Sequence, residues 1–100
     1  MKKISDVLSW RCIQNNKQGH IVARLGEEED HFLGKCKECY LLHKEGKTFY
    51  TEAEFKNGSG RADIYVVDDE LAIEIVSSER QDSIDRKRKE YPCDVKVVRV

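Results

Sequence analysis

The sequence has few of the features that mark membrane, secreted or repetitive proteins. No apolar run approaches the length of a membrane span, and no apolar signal-peptide core follows Met1, Lys2 and Lys3. Segments of low complexity and internal repeats are also missing. We therefore expect a cytoplasmic protein that has no membrane partner.

An excess of charge of either sign is absent as well. The chain has 18 Lys and Arg against 19 Asp and Glu, a formal net charge of −1. This balance gives no global attraction to nucleic acid, so any attraction has to come from local clusters of basic residues. With 39% hydrophobic and 37% charged residues, the 100-residue chain is predicted to form one globular domain with a heavily ionised surface.

The four cysteines lack the complete spacing of a metal site. Cys36 and Cys39 have the spacing of zinc ligands, but no second such pair and no His pair follows at the usual interval. Both lie on the apolar stripe of a predicted helix, so we expect them to pack in the core. A zinc site that adds Cys12, Cys93 or His43, or a disulfide, is the alternative.

Three consecutive β-strands are predicted in the middle of the chain. The segment 49–55 alternates between apolar and polar residues, as a strand with two different faces does. The segments 62–67 and 71–76 are almost wholly apolar, which is typical of central strands covered on both faces. The segment 57–60, Asn-Gly-Ser-Gly, supplies the residues of a tight turn between the first two strands.

Two lone acids interrupt the apolar strands. Burial of a carboxylate without partners costs several kcal/mol, so Asp63 and Glu74 on adjacent strands need a shared explanation. A Mg²⁺ or Mn²⁺ site provides one, because hard cations bind carboxylate oxygens and offset their repulsion. Glu52, predicted to face outward from the first strand, could add a third oxygen. Alternatively, the acids lie at solvated strand ends or pair with Arg61 or a lysine.

Two helices and a fourth strand flank these strands. A helix is predicted over 27–44, a second over 77–90, and a β-branched strand over 94–100. Because a helix connects the third and fourth strands, these should pair in parallel through a right-handed crossover. The residues 1–26 are predicted to form a β-hairpin with strands over 7–14 and 20–25. The core-facing stripe of the first helix is predicted to consist of Phe32, Leu33, Cys36, Cys39 and Tyr40.

Two polar groups on the helices are candidates for the site. Glu28, His31 and Lys35 share one face of the first helix at the margin of its stripe, so we predict that they border the acidic pocket. The only basic cluster of the chain lies in the second helix. It is interpreted either as a solvated face or as a set of phosphate contacts, and its members are Arg86, Lys87, Arg88 and Lys89.

The acids and the order of elements resemble those of the PD-(D/E)XK nuclease superfamily. The matching residues are Asp63 and the run Glu74-Ile75-Val76, where Val76 replaces the lysine of the motif. The resemblance covers roughly 27–100. It implies an αβββαβ core with a four-stranded mixed sheet, the restriction-endonuclease-like fold. The nearest likeness is to the competence protein CoiA-like group, through His31 and Lys35, Arg61-Ala62-Asp63-Ile64, and Glu74-Ile75-Val76-Ser77.

The resemblance implies a nuclease that hydrolyses DNA with Mg²⁺ or Mn²⁺ held by Asp63 and Glu74. Val76 cannot supply the charge of the motif lysine, so we predict that Lys35 or Lys96 reaches the site from another element. His31 is the predicted base. A homodimer is compatible with this interpretation.

Two other classes of function are compatible with the sequence. One is a catalytically inactive nuclease-fold module that binds DNA or a protein partner through the basic helix. The other is a small zinc-binding or redox protein that uses the cysteines.

Overall fold

Eight helices and strands are present in residues 3–100. A computed structural model describes residues 3–100; Met1 and Lys2, which the predicted hairpin segment includes, lie outside the described residues. In residues 3–100, no helix has the length and apolarity of a membrane span. The elements are α1 (Ile4–Val7), α2 (Trp10–Asn16), α3 (Glu29–Lys44), β1 (Phe49–Glu54), β2 (Arg61–Val66), β3 (Leu71–Val76), α4 (Gln81–Glu90) and β4 (Asp94–Arg99).

The four strands form one mixed sheet in the order β1-β2-β3-β4. β1 and β3 each pair antiparallel with β2, and β4 pairs parallel with β3. The helix α4 connects the two parallel strands, as the sequence predicts. The mixed α/β class, the four-stranded sheet and the order helix, three strands, helix, strand from α3 onward are therefore confirmed.

The predicted N-terminal hairpin is wrong, because this segment contains the helices α1 and α2. Ser9 provides the N-cap of α2, since its Oγ accepts a hydrogen bond from the Cys12 backbone N–H at 3.1 Å. The predicted second strand, 20–25, pairs with no strand among the described residues. The Thr51 side chain bonds the backbone of this segment instead. The Thr51 Oγ1 accepts from the Val22 N–H, and the Thr51 hydroxyl donates to the His20 carbonyl, both at 2.8 Å.

The helix α3 ends as predicted but buries a different face. Gly46 has a φ of 72°, and its N–H and that of Lys47 donate to the carbonyls of His43 and Leu42, which closes the last turn. The predicted apolar stripe is only partly buried, and one of the side chains that α3 buries is a lysine. The residues that α3 buries are Lys35, Cys39 and Leu42, whereas Leu33 and Tyr40 are 55% and 60% exposed.

Both faces of the sheet are covered. Neighbouring residues of β2 and β3 alternate between two buried clusters, as side chains on opposite faces of a sheet do. One cluster joins α1 and α2 to the sheet and includes Phe55, Tyr65 and Tyr91. The other lies under α3 and includes Ile64 and Ile73. Polar groups between these clusters are consequently shielded from solvent unless an opening reaches them.

Candidate active site

The ladder between β2 and β3 opens at the two lone acids. Regular pairing runs from Val66 opposite Leu71 to Ile64 opposite Ile73 and stops there. Beyond it, the Asp63 N–H donates to Oε2 of Glu74 at 3.0 Å, and the Ile75 N–H donates to Oδ2 of Asp63 at 2.7 Å. Each carboxylate is thus held by the backbone of the opposite strand, and the structure brings the two predicted ligands together.

The opening leads into a polar cavity of about 310 Å³. Asp63 and Glu74 line this cavity, and so does Val76, the residue at the position of the predicted motif lysine. Other charged or titratable side chains from different parts of the chain also line it, and these are Arg24, His31, Arg61, Glu79 and Lys87. The cavity therefore combines the two buried carboxylates and Glu79 with several cationic groups that could contact an anionic ligand.

Asp63 is the acid whose ionisation this environment opposes most clearly. Burial and the nearby charge of Glu74 raise the pKa of Asp63 to about 6, although the Ile75 N–H and His31 act in the opposite direction. Nε2 of His31 lies 3.3 Å from Oδ2 of Asp63, and Nδ1 of His31 bonds the Glu27 carboxylate. The histidine that the sequence places at the pocket therefore does contact one of the two acids.

Besides the Asp63 N–H, two side chains donate to Glu74. The Tyr91 hydroxyl donates to Oε1 of Glu74 at 2.9 Å and also lies 3.1 Å from the Arg61 carbonyl. Burial and the charge of Glu74 raise the pKa of Tyr91, so the phenol keeps its proton and remains a donor. The second donor is Lys87, whose Nζ lies 3.1 Å from the same oxygen.

Lys87 is the lysine that reaches the acids. Its Nζ bonds Glu79 at 2.7 Å as well as Glu74, and its side chain is only 18% exposed. Burial acts to lower the pKa of Lys87, but its contacts with Glu79 and Glu74 outweigh burial and raise it. The amine therefore stays protonated at neutral pH.

The rest of the basic run does not share this position, because consecutive helical residues are rotated by about 100° from one another. Arg86 pairs with Glu90 at 2.9 Å on the solvent side of α4. Arg88 and Lys89 are exposed. The four residues therefore do not share one solvated face, since Lys87 points into the protein, and phosphate contact by the exposed three stays a prediction.

The predicted substitutes for the motif lysine lie elsewhere. Lys35 on α3 is fully buried. Its Nζ donates to the Val22 carbonyl at 2.7 Å and contacts the carboxylates of Glu27 and Glu52. Lys96 is 56% exposed, with Nζ 3.8 Å from Glu38. Neither side chain lines the cavity.

Two acids differ from their predicted positions. Glu52 is buried rather than outward-facing, because its backbone adopts a left-handed conformation with a φ of 48° that breaks the alternation of β1. Its Oε2 lies 3.4 Å from Lys35, and its Oε1 has no hydrogen-bond partner among the described residues. Glu28 is the exposed N-cap residue of α3. Glu27, four residues before His31, has the place at the site that was predicted for Glu28.

Four residues at the site were not predicted there, and three of them have a detectable signal. Glu27 shares a helical face with His31 and Lys35 at spacings of four and eight residues. Lys87 and Tyr91 follow Ile84 at helical spacing, and Ile84 and Tyr91 are the buried residues of the α4 stripe. Arg24, the fourth, lies in the loop before α3, which has no periodic pattern.

The donor set fits a hard divalent cation better than zinc. Magnesium is commonly bound by one or two carboxylates, with water and substrate phosphates completing its shell, and Asp63 with Glu74 provides two. Zinc needs three or four protein ligands. No group of three or more His, Cys, Asp or Glu is placed to hold a metal in the part of the chain that the structure describes. Cys12, Cys36 and Cys39 are free thiols, and Cys36, Cys39 and His43 line a different cavity.

Comparisons of the chain with protein-family models, with curated proteins and with solved structures found no match.

Proposed function

We propose that the protein is a divalent-metal-dependent nuclease of the PD-(D/E)XK type that hydrolyses phosphodiester bonds of DNA. One observation carries this proposal: Asp63 and Glu74 meet across an opened strand pair and face one cavity that is also lined by cationic side chains. The element order from α3 onward and the motif residues support the same assignment.

Asp63 and Glu74 would hold Mg²⁺ or Mn²⁺, which when bound polarises the phosphate and lowers the pKa of a bound water. The role of the motif lysine falls to Lys87 on α4. Its protonated amine lies beside Glu74 at the cavity wall, where it can hold a non-bridging phosphate oxygen and stabilise the negative charge that develops there.

His31 is positioned to exchange a proton with Asp63 at the cavity. Since Nδ1 bonds the Glu27 carboxylate, it carries a hydrogen, which leaves Nε2 facing Oδ2 of Asp63. Nε2 and Oδ2 are 3.3 Å apart, so a proton on either atom can be shared by the pair. This proton is available to a leaving group, and the pair can accept one from water.

A binding module without catalysis is the second candidate, and a specific observation favours it. Lys87 already lies against Glu74 and His31 against Asp63, so both carboxylates have side-chain partners without a metal. In that case Val76 marks the loss of catalysis, and the cationic wall serves only to bind DNA or another anionic partner.

A cleavage assay with a metal-binding readout separates the two candidates. Wild-type protein should cleave DNA in Mg²⁺ or Mn²⁺ but not in EDTA, and Asp63→Asn and Glu74→Gln should abolish both cleavage and the thermal stabilisation by Mg²⁺. Asp82→Asn, an exposed acid on α4, is the matched control and should behave as wild type. Cleavage that survives both site variants would reject the nuclease, and DNA binding without cleavage or metal binding would support the module.

A further inference from the structure

Two arginines line the cavity with guanidinium groups that make only long contacts. Arg24 precedes α3 and Arg61 begins β2, and their side chains are 55% and 51% exposed. Within residues 3–100 neither guanidinium donates a hydrogen bond. Each lies near the same atom, Oε1 of Glu52, which is 3.7 Å from Nη1 of Arg24 and 3.9 Å from Nη1 of Arg61.

The backbones of both arginines are fixed even though their side-chain donors are unused. The Arg24 N–H donates to the Glu27 carboxylate at 3.1 Å, and the Arg24 carbonyl accepts from the Glu27 N–H at 3.0 Å. The Arg61 residue pairs with Glu54 in the sheet, and its carbonyl lies 3.1 Å from the Tyr91 hydroxyl. An anion that bound the two guanidiniums would therefore meet donors whose attachment points are already ordered.

The charge balance at this wall leaves room for an anion. Glu52 contacts Arg24, Arg61 and the buried Lys35, and Lys35 also contacts Glu27, so three cations face two carboxylates. Oε1 of Glu52 is buried and has no hydrogen-bond partner among the described residues. It attracts the two guanidiniums by charge, but their N–H donors stay available to a ligand. Guanidinium groups bind phosphate through paired, parallel hydrogen bonds, which suits two arginines on one rim.

We propose that Arg24 and Arg61 form a binding subsite for a phosphodiester that neighbours the one facing Asp63 and Glu74. The substrate is then a polynucleotide strand that spans both positions, not a compound with a single phosphodiester. The location of the scissile group rests on the proposed function, whereas the phosphate contact of the two arginines does not.

Binding in EDTA tests the contact without requiring catalysis. Fluorescence anisotropy of a labelled single-stranded oligonucleotide is measured for wild type, Arg24→Gln, Arg61→Gln and the double variant. Each substitution should weaken binding about tenfold and reduce the slope of log affinity against log salt by about 0.7. Arg80→Gln, whose side chain is 85% exposed and lies outside the cavity lining, is the control. Unchanged affinity and slope in the double variant would overturn the subsite.

Turnover of two substrates distinguishes a substrate contact from a structural role. The double variant should lose at least about ten times more kcat/KM on the oligonucleotide than on bis(p-nitrophenyl) phosphate, which lacks a neighbouring phosphodiester. Equal losses on both would overturn the subsite. If wild type cleaves neither substrate while the binding loss is observed, the proposed nuclease fails and the subsite stands.

Discussion

Nζ of Lys87 on α4 lies 3.1 Å from Oε1 of Glu74 on β3, and Val76 lines the same cavity two residues further along β3. Glu74 and Val76 point to the same side of the strand because side chains alternate along it. A lysine on α4 and a lysine at position 76 of β3 would therefore both place an ammonium group in this cavity. For the proposed nuclease, this relationship supplies a lysine to the site although position 76 is a valine.

The first prediction is that Lys87 supplies the catalytic lysine that position 76 lacks. Lys87→Met should lower kcat about 10²- to 10³-fold, because removal of one transition-state donor in other enzymes has an effect of this size. Lys89→Met, a change of the same residue type on the exposed side of α4, is the control. Steady-state cleavage rates at saturating Mg²⁺ measure both variants.

The double variant Lys87→Met and Val76→Lys should recover part of the lost rate, since it returns a cation to the cavity from β3. The single Val76→Lys variant should be no faster than wild type, because Lys87 already supplies that charge. A Val76→Lys variant that is faster than wild type, or a Lys87→Met variant with the wild-type rate, would exclude Lys87 from this role.

The second prediction is a dependence of stability on pH that originates at Asp63. The unfolded chain releases this proton near the ordinary pKa of 3.8, whereas the folded protein retains it until about pH 6. Between these values the folded state binds more protons, so stability falls as the pH rises and the loss is complete above about pH 6. The difference between these two pKa values of Asp63 corresponds to about 3 kcal/mol of stability.

Asp63→Asn removes this ionisation, and the amide oxygen can still accept the Ile75 N–H. Relative to wild type, the variant should gain stability at pH 7.5 and lose most of that advantage at pH 4, as urea denaturation at the two pH values will show. Glu74 remains in both proteins, so their difference reports on Asp63. An advantage that is the same at both pH values would contradict the assignment.

The sheet and its two acids could be predicted because their signals are local. Alternation defines β1, apolar runs define β2 and β3, and an acid within such a run is conspicuous in the sequence alone. The site around them depends on contacts between distant segments. Lys35 is buried because Glu27 and Glu52 surround it, and Glu52 is buried because its backbone is left-handed; neither condition has a periodic signature.

The third prediction addresses the cysteines. Burial raises the pKa of the Cys39 thiol to about 12, so at pH 8 its thiolate fraction is about 1,000-fold lower than that of a thiol with a pKa of 9.0. In the native protein Cys39 should react with a disulfide reagent far more slowly than Cys36, which is half-buried at the surface of its cavity. Comparison of Cys36→Ser and Cys39→Ser by thiol titration assigns the rates. Rapid reaction of Cys39 in the folded protein would revive the redox alternative.

The fourth prediction is that Lys35 stabilises the fold and takes no part in catalysis. Its side chain is fully buried between the carboxylates of Glu27 and Glu52, so Lys35→Met leaves two buried acids without their shared cation. Loss of one member of a buried ionic group commonly costs about 3–5 kcal/mol. Urea denaturation should show a loss of that size, whereas Lys37→Met on the exposed side of α3 should have little effect.

A second substitution separates this charge imbalance from simple loss of packing. In the background of Lys35→Met, Glu52→Gln removes one of the two stranded charges, so the double variant should be more stable than the sum of the two single losses predicts. A favourable coupling of about 0.5–3 kcal/mol is typical of residues in one ionic network. Additive losses would indicate that Lys35 and Glu52 act independently. If instead Lys35→Met retains wild-type stability but loses cleavage, Lys35 and not Lys87 is the lysine of the site.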